Sequence, residues 1–159
     1  SLRDWSGALP RIVRVMPNTP ARVASAMTVL ARTGDSDEHA FERTRNLFDA
    51  FGKTLVMDES LMDAVTAVSG CGPAFVFVAM EAMIDAAIAL GIPYEFARIL
   101  VAQTVLGSAQ LLLEGAAHPG VLKHEVTTPA GRTIRGIAAL EEGGFRSAMM
   151  RAVMAAGGS

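Results

Sequence analysis

Gly72 to Leu90 reads G-P-A-F-V-F-V-A-M-E-A-M-I-D-A-A-I-A-L, and this run decides the fold. Wound as a helix, it is apolar on almost every face and broken only by Glu81 and Asp85. Those two charges deny it the roughly 20 predominantly apolar residues that a membrane-crossing helix requires. Gly91-Ile92-Pro93 ends the run, and a second apolar stretch, Ala97 to Leu113, follows, interrupted by Gln103, Thr104, Ser108 and Gln110. A helix apolar on most faces without a membrane is buried on most faces, either in a large core or against another subunit. A chain of 159 residues has the core of one ordinary domain. That is too little to surround two such helices. The pattern therefore predicts that helices 73–90 and 94–114 pack against a second copy, intertwined about a two-fold axis. Gln103 and Thr104 would then be hydrogen-bonded in the interface, the alternative being a solvent-facing stripe.

Working outward, hydrophobic periodicity from Asp58 onward is helical. It predicts helices near 59–68, 73–90, 94–114, 119–125, 133–142 and 145–156, with Gly143-Gly144 separating the last two. Upstream the pattern changes. Arg11 to Met16 reads as a strand stopped by Pro17, because the residue before proline avoids helical geometry. Met27–Ala31 and Thr54–Met57 are further strand-like runs. Between them, Phe41, Leu47, Phe48 and Phe51 mark a helix over 38–51 that Gly52 terminates. The expected fold class is mainly α: residues 1–57 form a small α/β portion and 58–159 an all-helical domain.

Composition narrows the function. The chain is 51% hydrophobic and only 19% charged, with a net charge of −2 and no basic patch interleaved with aromatics. Nothing there points to nucleic acid. The single cysteine cannot form an internal disulfide and suits a reducing, cytoplasmic setting. The first residues do not read as a signal peptide. His39, His118 and His124 are scattered, and His124-Glu125 lacks the second histidine of a zinc-binding H-E-x-x-H, so no metal is expected. Cys71, at a helix start, lacks a histidine or acidic partner in its motif and reads as a small packed residue. The nine methionines suit helix interfaces.

Val126 to Gly136, V-T-T-P-A-G-R-T-I-R-G, carries the chemistry. A Pro/Gly turn that feeds a helix leaves the helix's first N–H groups without intrahelical acceptors. Together with the positive end of the helix dipole, those donors favour a small carboxylate or phosphate. Thr127, Thr128 and Thr133 add hydroxyls at the same place. On local grounds an ordinary helix cap with spare threonines explains the pattern as well.

The company of this turn is informative. Val15-Met16-Pro17-Asn18-Thr19-Pro20-Ala21, Thr66-Ala67-Val68-Ser69-Gly70-Cys71-Gly72-Pro73-Ala74-Phe75, Gln103-Thr104 and His118-Pro119 occur in this order ahead of it or around it. With the T-P-x-G-x-T-I turn, the set resembles the C-terminal two thirds of pyrroline-5-carboxylate reductases, from about Arg11 to about Ala156. The resemblance implies a two-domain, NADH- or NADPH-dependent reductase of a cyclic imine carboxylate, dimerising through its helical domain. It makes the strands upstream of Asp58 the last part of a Rossmann-like nucleotide-binding sheet, and places Met16, Pro17 and Asn18 beside the nicotinamide end of the cofactor. It assigns the substrate carboxylate to the N–H groups around Gly131 and Arg132 and to the hydroxyl of Thr128. Thr133 becomes the catalytic residue, its hydroxyl bonding the ring nitrogen. Asn18 read locally is equally an Asx-turn residue.

Four positions depart from the family pattern. Cys71 and Thr128 stand where serine is usual, Ala130 replaces the first glycine of a Gly-Gly pair, and Arg132 replaces a small residue. The guanidinium of Arg132 either strengthens anion binding, shifts preference toward a larger or more acidic substrate, or faces solvent. The dinucleotide fingerprint G-x-G-x-x-G is absent from the 159 residues. Gly70-Cys71-Gly72 follows a helical stretch and has Phe75 at the third position, so it reads as a turn between helices. A stand-alone dimerisation or binding module, or a reductase of a sister imine, are the competing readings.

Overall fold

The computed structural model describes residues 12–32, 37–115 and 117–158. The first expected strand is short: β1 is Val15–Met16, and Arg11 lies outside the described residues. A short 3₁₀ helix, Thr19–Val23, leads to β2 (Ala26–Arg32). Helix α1 (Glu38–Asp49) then crosses to β3 (Gly52–Asp58). β1 pairs antiparallel with β2, Val15 opposite Leu30, and β2 pairs parallel with β3, Ala26 opposite Gly52 through Arg32 opposite Asp58. The crossover β2–α1–β3 is the parallel unit of an α/β sheet.

Alternation along β2 sends its side chains to two buried faces. Val29 and Ala31 pack with Met62 and Val65, flanked by Met16 and Met57. Thr28 and Leu30, both fully buried, take the other face. Arg32 shares that face, and its guanidinium lies 4.7 Å over the ring of Phe41, the one buried residue of α1. The N-cap Asp37 accepts from the N–H groups of His39 and Ala40, which fixes where α1 starts. Gly52 is required by proximity: a Cβ there would run into the Ala26 backbone nitrogen and oxygen.

The helical part opens at Asp58, whose carboxylate accepts from both the N–H and the hydroxyl of Ser60. Those bonds hold its pKa below the ordinary carboxylate value. The helix expected over 59–68 is three short pieces: a 3₁₀ turn at Glu59–Leu61, α2 at Met62–Val65 and a π turn at Thr66–Gly70. Beyond it run α3 (Gly72–Ala89), α4 (Tyr94–Glu114), α5 (Pro119–Glu125), α6 (Arg132–Glu142) and α7 (Phe145–Ala156). Contacts divide the chain into two compact units. One runs through Ala74 and takes in the chain from Arg151 onward, and the other is Phe75–Met150.

The apolar helices are uncovered within the chain. No residue of α3 is buried, and α4 buries only Ala97 and Val101. Phe77, Val78 and Phe96 are each more than 60% exposed, at 61%, 67% and 63%. By length and mean hydropathy alone, Glu59–Ala89 and Tyr94–Glu114 are apolar enough to cross a membrane. The expectation against a membrane rests instead on Glu81 and Asp85 inside the first run and on the polar residues of the second.

Candidate functional site

Thr127 continues from α5, its N–H bonded to the His124 carbonyl at 2.9 Å and its hydroxyl to the Lys123 carbonyl at 2.7 Å. The hydroxyl is thereby committed to the preceding helix. Thr128 to Gly131 then form a tight turn, closed by Gly131 N–H donating to the Thr128 carbonyl at 3.0 Å. Pro129 in the second position and Ala130 in the third, at φ +56°, suit a type II turn. Ala130 therefore occupies a left-handed conformation that a glycine would adopt freely. Gly131 is the N-cap of α6, with φ −69° and ψ 173°, and supplies no side-chain cap. Added to it, a Cβ would strike Thr128 Oγ1. The bare α-carbon lets the Thr128 hydroxyl sit directly over the helix start.

The result is an open helix N-terminus. Arg132, Thr133 and Ile134 present N–H groups that α6 cannot satisfy itself. Among the described residues, neither the Thr128 nor the Thr133 hydroxyl makes a hydrogen bond, and Arg132 has no ion pair. All three side chains are exposed. One expectation changes: Gly131 N–H is used to close the turn, so the donors available to an anion begin one residue later and include Ile134. Donors converging at a positive dipole end, with two hydroxyls alongside, suit a small carboxylate carrying a further hydrogen-bonding atom.

Residues 59–158 match the family described as pyrroline-5-carboxylate reductase dimerisation. The chain belongs to this family. It is 48% identical over 155 residues to a pyrroline-5-carboxylate reductase of Arabidopsis thaliana, covering 98% of this chain and 56% of the relative. It is also 48% identical over 146 residues to that of Methanosarcina acetivorans, covering 92% and 54%. A solved pyrroline-5-carboxylate reductase from Coxiella burnetii superposes with a TM-score of 0.91 at 36% identity, over 99% of this chain and 58% of that one. A Plasmodium falciparum pyrroline carboxylate reductase solved with NADP bound gives 0.89 at 33% identity, over 98% and 63%. The chain thus spans little more than half the length of the curated relatives it matches, less than the two thirds the motifs alone suggest.

In this family member the other expected site residues, Met16, Pro17 and Asn18, lie in the first compact unit. Pro17 is exposed, while Met16 and Asn18 are half-buried. Met16 reaches Gly70, where an added Cβ would fall 2.6 Å from the Met16 methyl. Asn18 does not form the local Asx-turn. Its Oδ1 accepts from Met27 N–H at 2.9 Å, and its Nδ2 donates to the Ser69 carbonyl at 3.1 Å. Sequence reasoning found the loop and missed this bridge. Cys71, half-buried, follows the π turn, its N–H bonded to the Thr66 carbonyl. No group of three or more histidine, cysteine or acidic side chains that could hold a metal occurs among the described residues.

Proposed function

We propose that this chain is the C-terminal part of an NAD(P)H-dependent reductase that converts 1-pyrroline-5-carboxylate to proline, the last step of proline synthesis. The observation that carries the reading is the open N-terminus of α6, uncapped by any side chain and flanked by the free hydroxyls of Thr128 and Thr133. Family membership supplies the substrate that matches it: a ring with one carboxylate and one basic imine nitrogen.

In this reading the carboxylate lies on the N–H groups of Arg132, Thr133 and Ile134 and on the Thr128 hydroxyl, with the positive helix end behind it. Gly131 contributes its bare α-carbon, which leaves room for Thr128 above the donors. Thr133 hydrogen-bonds the ring nitrogen and so fixes which face of the ring is presented. The protonated imine is already electrophilic, so no strong acid or nucleophile is required of the protein. Its contribution is position. A bound NADH or NADPH would supply the hydride that the imine carbon accepts. The loop Met16–Asn18 would border its nicotinamide end. The pyrophosphate would be held by a glycine-rich turn that these 159 residues do not contain. Residues 1–57 are read as the end of that nucleotide-binding domain, and 58–159 as the helical domain.

Two further parts of the proposal concern assembly and place. The uncovered faces of α3 and α4 are assigned to a second copy, making a homodimer whose partner covers Phe77, Val78 and Phe96. The protein is assigned to the cytoplasm, with its small-molecule imine as the partner there. The test is chemical. Full-length protein incubated with NADPH or NADH and 1-pyrroline-5-carboxylate should yield proline by mass spectrometry, at a rate proportional to enzyme. Absence of proline with either cofactor would overturn the assignment.

A further inference from the structure

Pro73 stands four residues after Ser69, where a regular helix would supply the N–H that bonds the Ser69 carbonyl. Proline has none. The backbone slips into the π turn Thr66–Gly70 just before this point, and the Ser69 carbonyl takes its hydrogen bond from Asn18 Nδ2 instead. The other end of the same amide meets a second backbone vacancy. Ala26 N–H points to the β3 side, donating to Phe51, so Met27 N–H points the opposite way, toward β1. β1 reaches only to Met16, and the chain turns away at Pro17. Asn18 Oδ1 accepts from Met27 N–H in its place. One half-buried side chain thus completes the backbone bonding of two segments, across separations of 9 and 51 residues.

We infer that Asn18 is a positioning residue: its amide clasps the Pro17–Pro20 loop to both β2 and the π turn, and acts on turnover by holding that loop rather than by bonding the cofactor. The inference rests on the proposed reaction, in which this loop borders the nicotinamide. Asn18 Oδ1 and one Nδ2 hydrogen are already committed within the protein. π turns recur at functional sites, and here the turn both frees and places the carbonyl that anchors the loop. A loop released from such anchors need move by only about 1 Å to cost about 10²-fold in an orientation-controlled step.

The experiment uses full-length protein with Asn18→Ala and Asn18→Asp. Aspartate keeps an acceptor for Met27 N–H and sets an oxygen against the Ser69 carbonyl. It therefore opens that half of the clasp while keeping the side chain's shape, which leaves a second variant should alanine fold poorly. The Kd for NADPH and kcat at saturating imine and cofactor are measured well below the melting temperature, and Tm is measured alongside by thermal unfolding. The expected result in both variants is a kcat lowered roughly 10- to 100-fold, with Kd for NADPH within about threefold of wild type. A Kd weakened tenfold or more with kcat retained would make Asn18 a direct cofactor ligand and overturn the inference. A lowered Tm with kcat and Kd unchanged would make the clasp merely structural and overturn it equally. Wild-type protein assayed alongside separates the two levels: if it does not reduce the imine, the proposed reaction fails, and the inference with it.

Discussion

Replacing Thr133 by valine keeps the shape and β-branching of the side chain and removes one hydroxyl. That hydroxyl has no partner among the described residues, and the side chain is exposed in the first turn of α6. Its loss should therefore leave folding within about 0.5 kcal/mol of wild type, as for surface substitutions generally. In the proposed reaction the same hydroxyl orients the imine nitrogen. A well-placed polar contact that strengthens in the transition state is worth about 2.7–4 kcal/mol, or roughly 10² to 10³ in rate. Thr127→Val is the matched control, because its hydroxyl already bonds the Lys123 carbonyl at 2.7 Å. There the expected loss is in stability, about 1 kcal/mol, with activity nearly kept. The two variants should thus separate: one stable and slow, the other less stable and active. The assay is kcat/KM for the imine in full-length protein beside urea unfolding at fixed protein concentration. A Thr133→Val enzyme with near-normal kcat/KM would show the threonine to be part of a cap and nothing more.

Other consequences follow from individual side chains. Ala130→Gly relieves a left-handed residue at φ +56°, worth about 1–2 kcal/mol, against about 0.4–1 kcal/mol of added unfolded-chain entropy. The variant should be about 0.5–1 kcal/mol more stable by urea midpoint, and a destabilised variant would refute the strain. Thr28 is fully buried, and its hydroxyl has no hydrogen-bond partner among the described residues. Thr28→Val should be neutral or stabilising by about 1 kcal/mol, whereas a loss of that size would reveal a partner for the hydroxyl. Sedimentation equilibrium should find dimers at low micromolar concentration, and a stable folded monomer would contradict the assignment of α3 and α4 to a second copy. Lacking the glycine-rich turn, the 159-residue chain alone should give no micromolar binding of NADH or NADPH by calorimetric titration, and such binding would show the first unit to be sufficient.

Much of the architecture is legible because it is local. Helix α4 runs from Tyr94 to Glu114 as its periodicity predicts, and α5 from Pro119 to Glu125, since proline openings and glycine stops act within a few residues. The uncovered apolar face of α3 follows equally from composition along one helix. What escaped was non-local or a matter of backbone phase. The π turn at Thr66–Gly70 differs from an α-helix by one residue of hydrogen-bond register, which apolar spacing over so short a run does not resolve. The bond from Asn18 to Ser69 spans 51 residues, and its only trace in the sequence is Pro73 four positions after Ser69. At the turn, the threonines and the helix start were readable. The commitment of Gly131 N–H to the Thr128 carbonyl was not, since it depends on the turn type that Ala130 adopts.

The central claim is that the start of α6 holds the substrate carboxylate. A crystal structure of the full-length protein with proline, the product of the proposed reaction, tests it directly. The expected result is a carboxylate within hydrogen-bonding distance of the N–H groups of Arg132, Thr133 and Ile134 and of Thr128 Oγ1, with the ring nitrogen at Thr133 Oγ1. A proline bound elsewhere, with the start of α6 solvated, would contradict it.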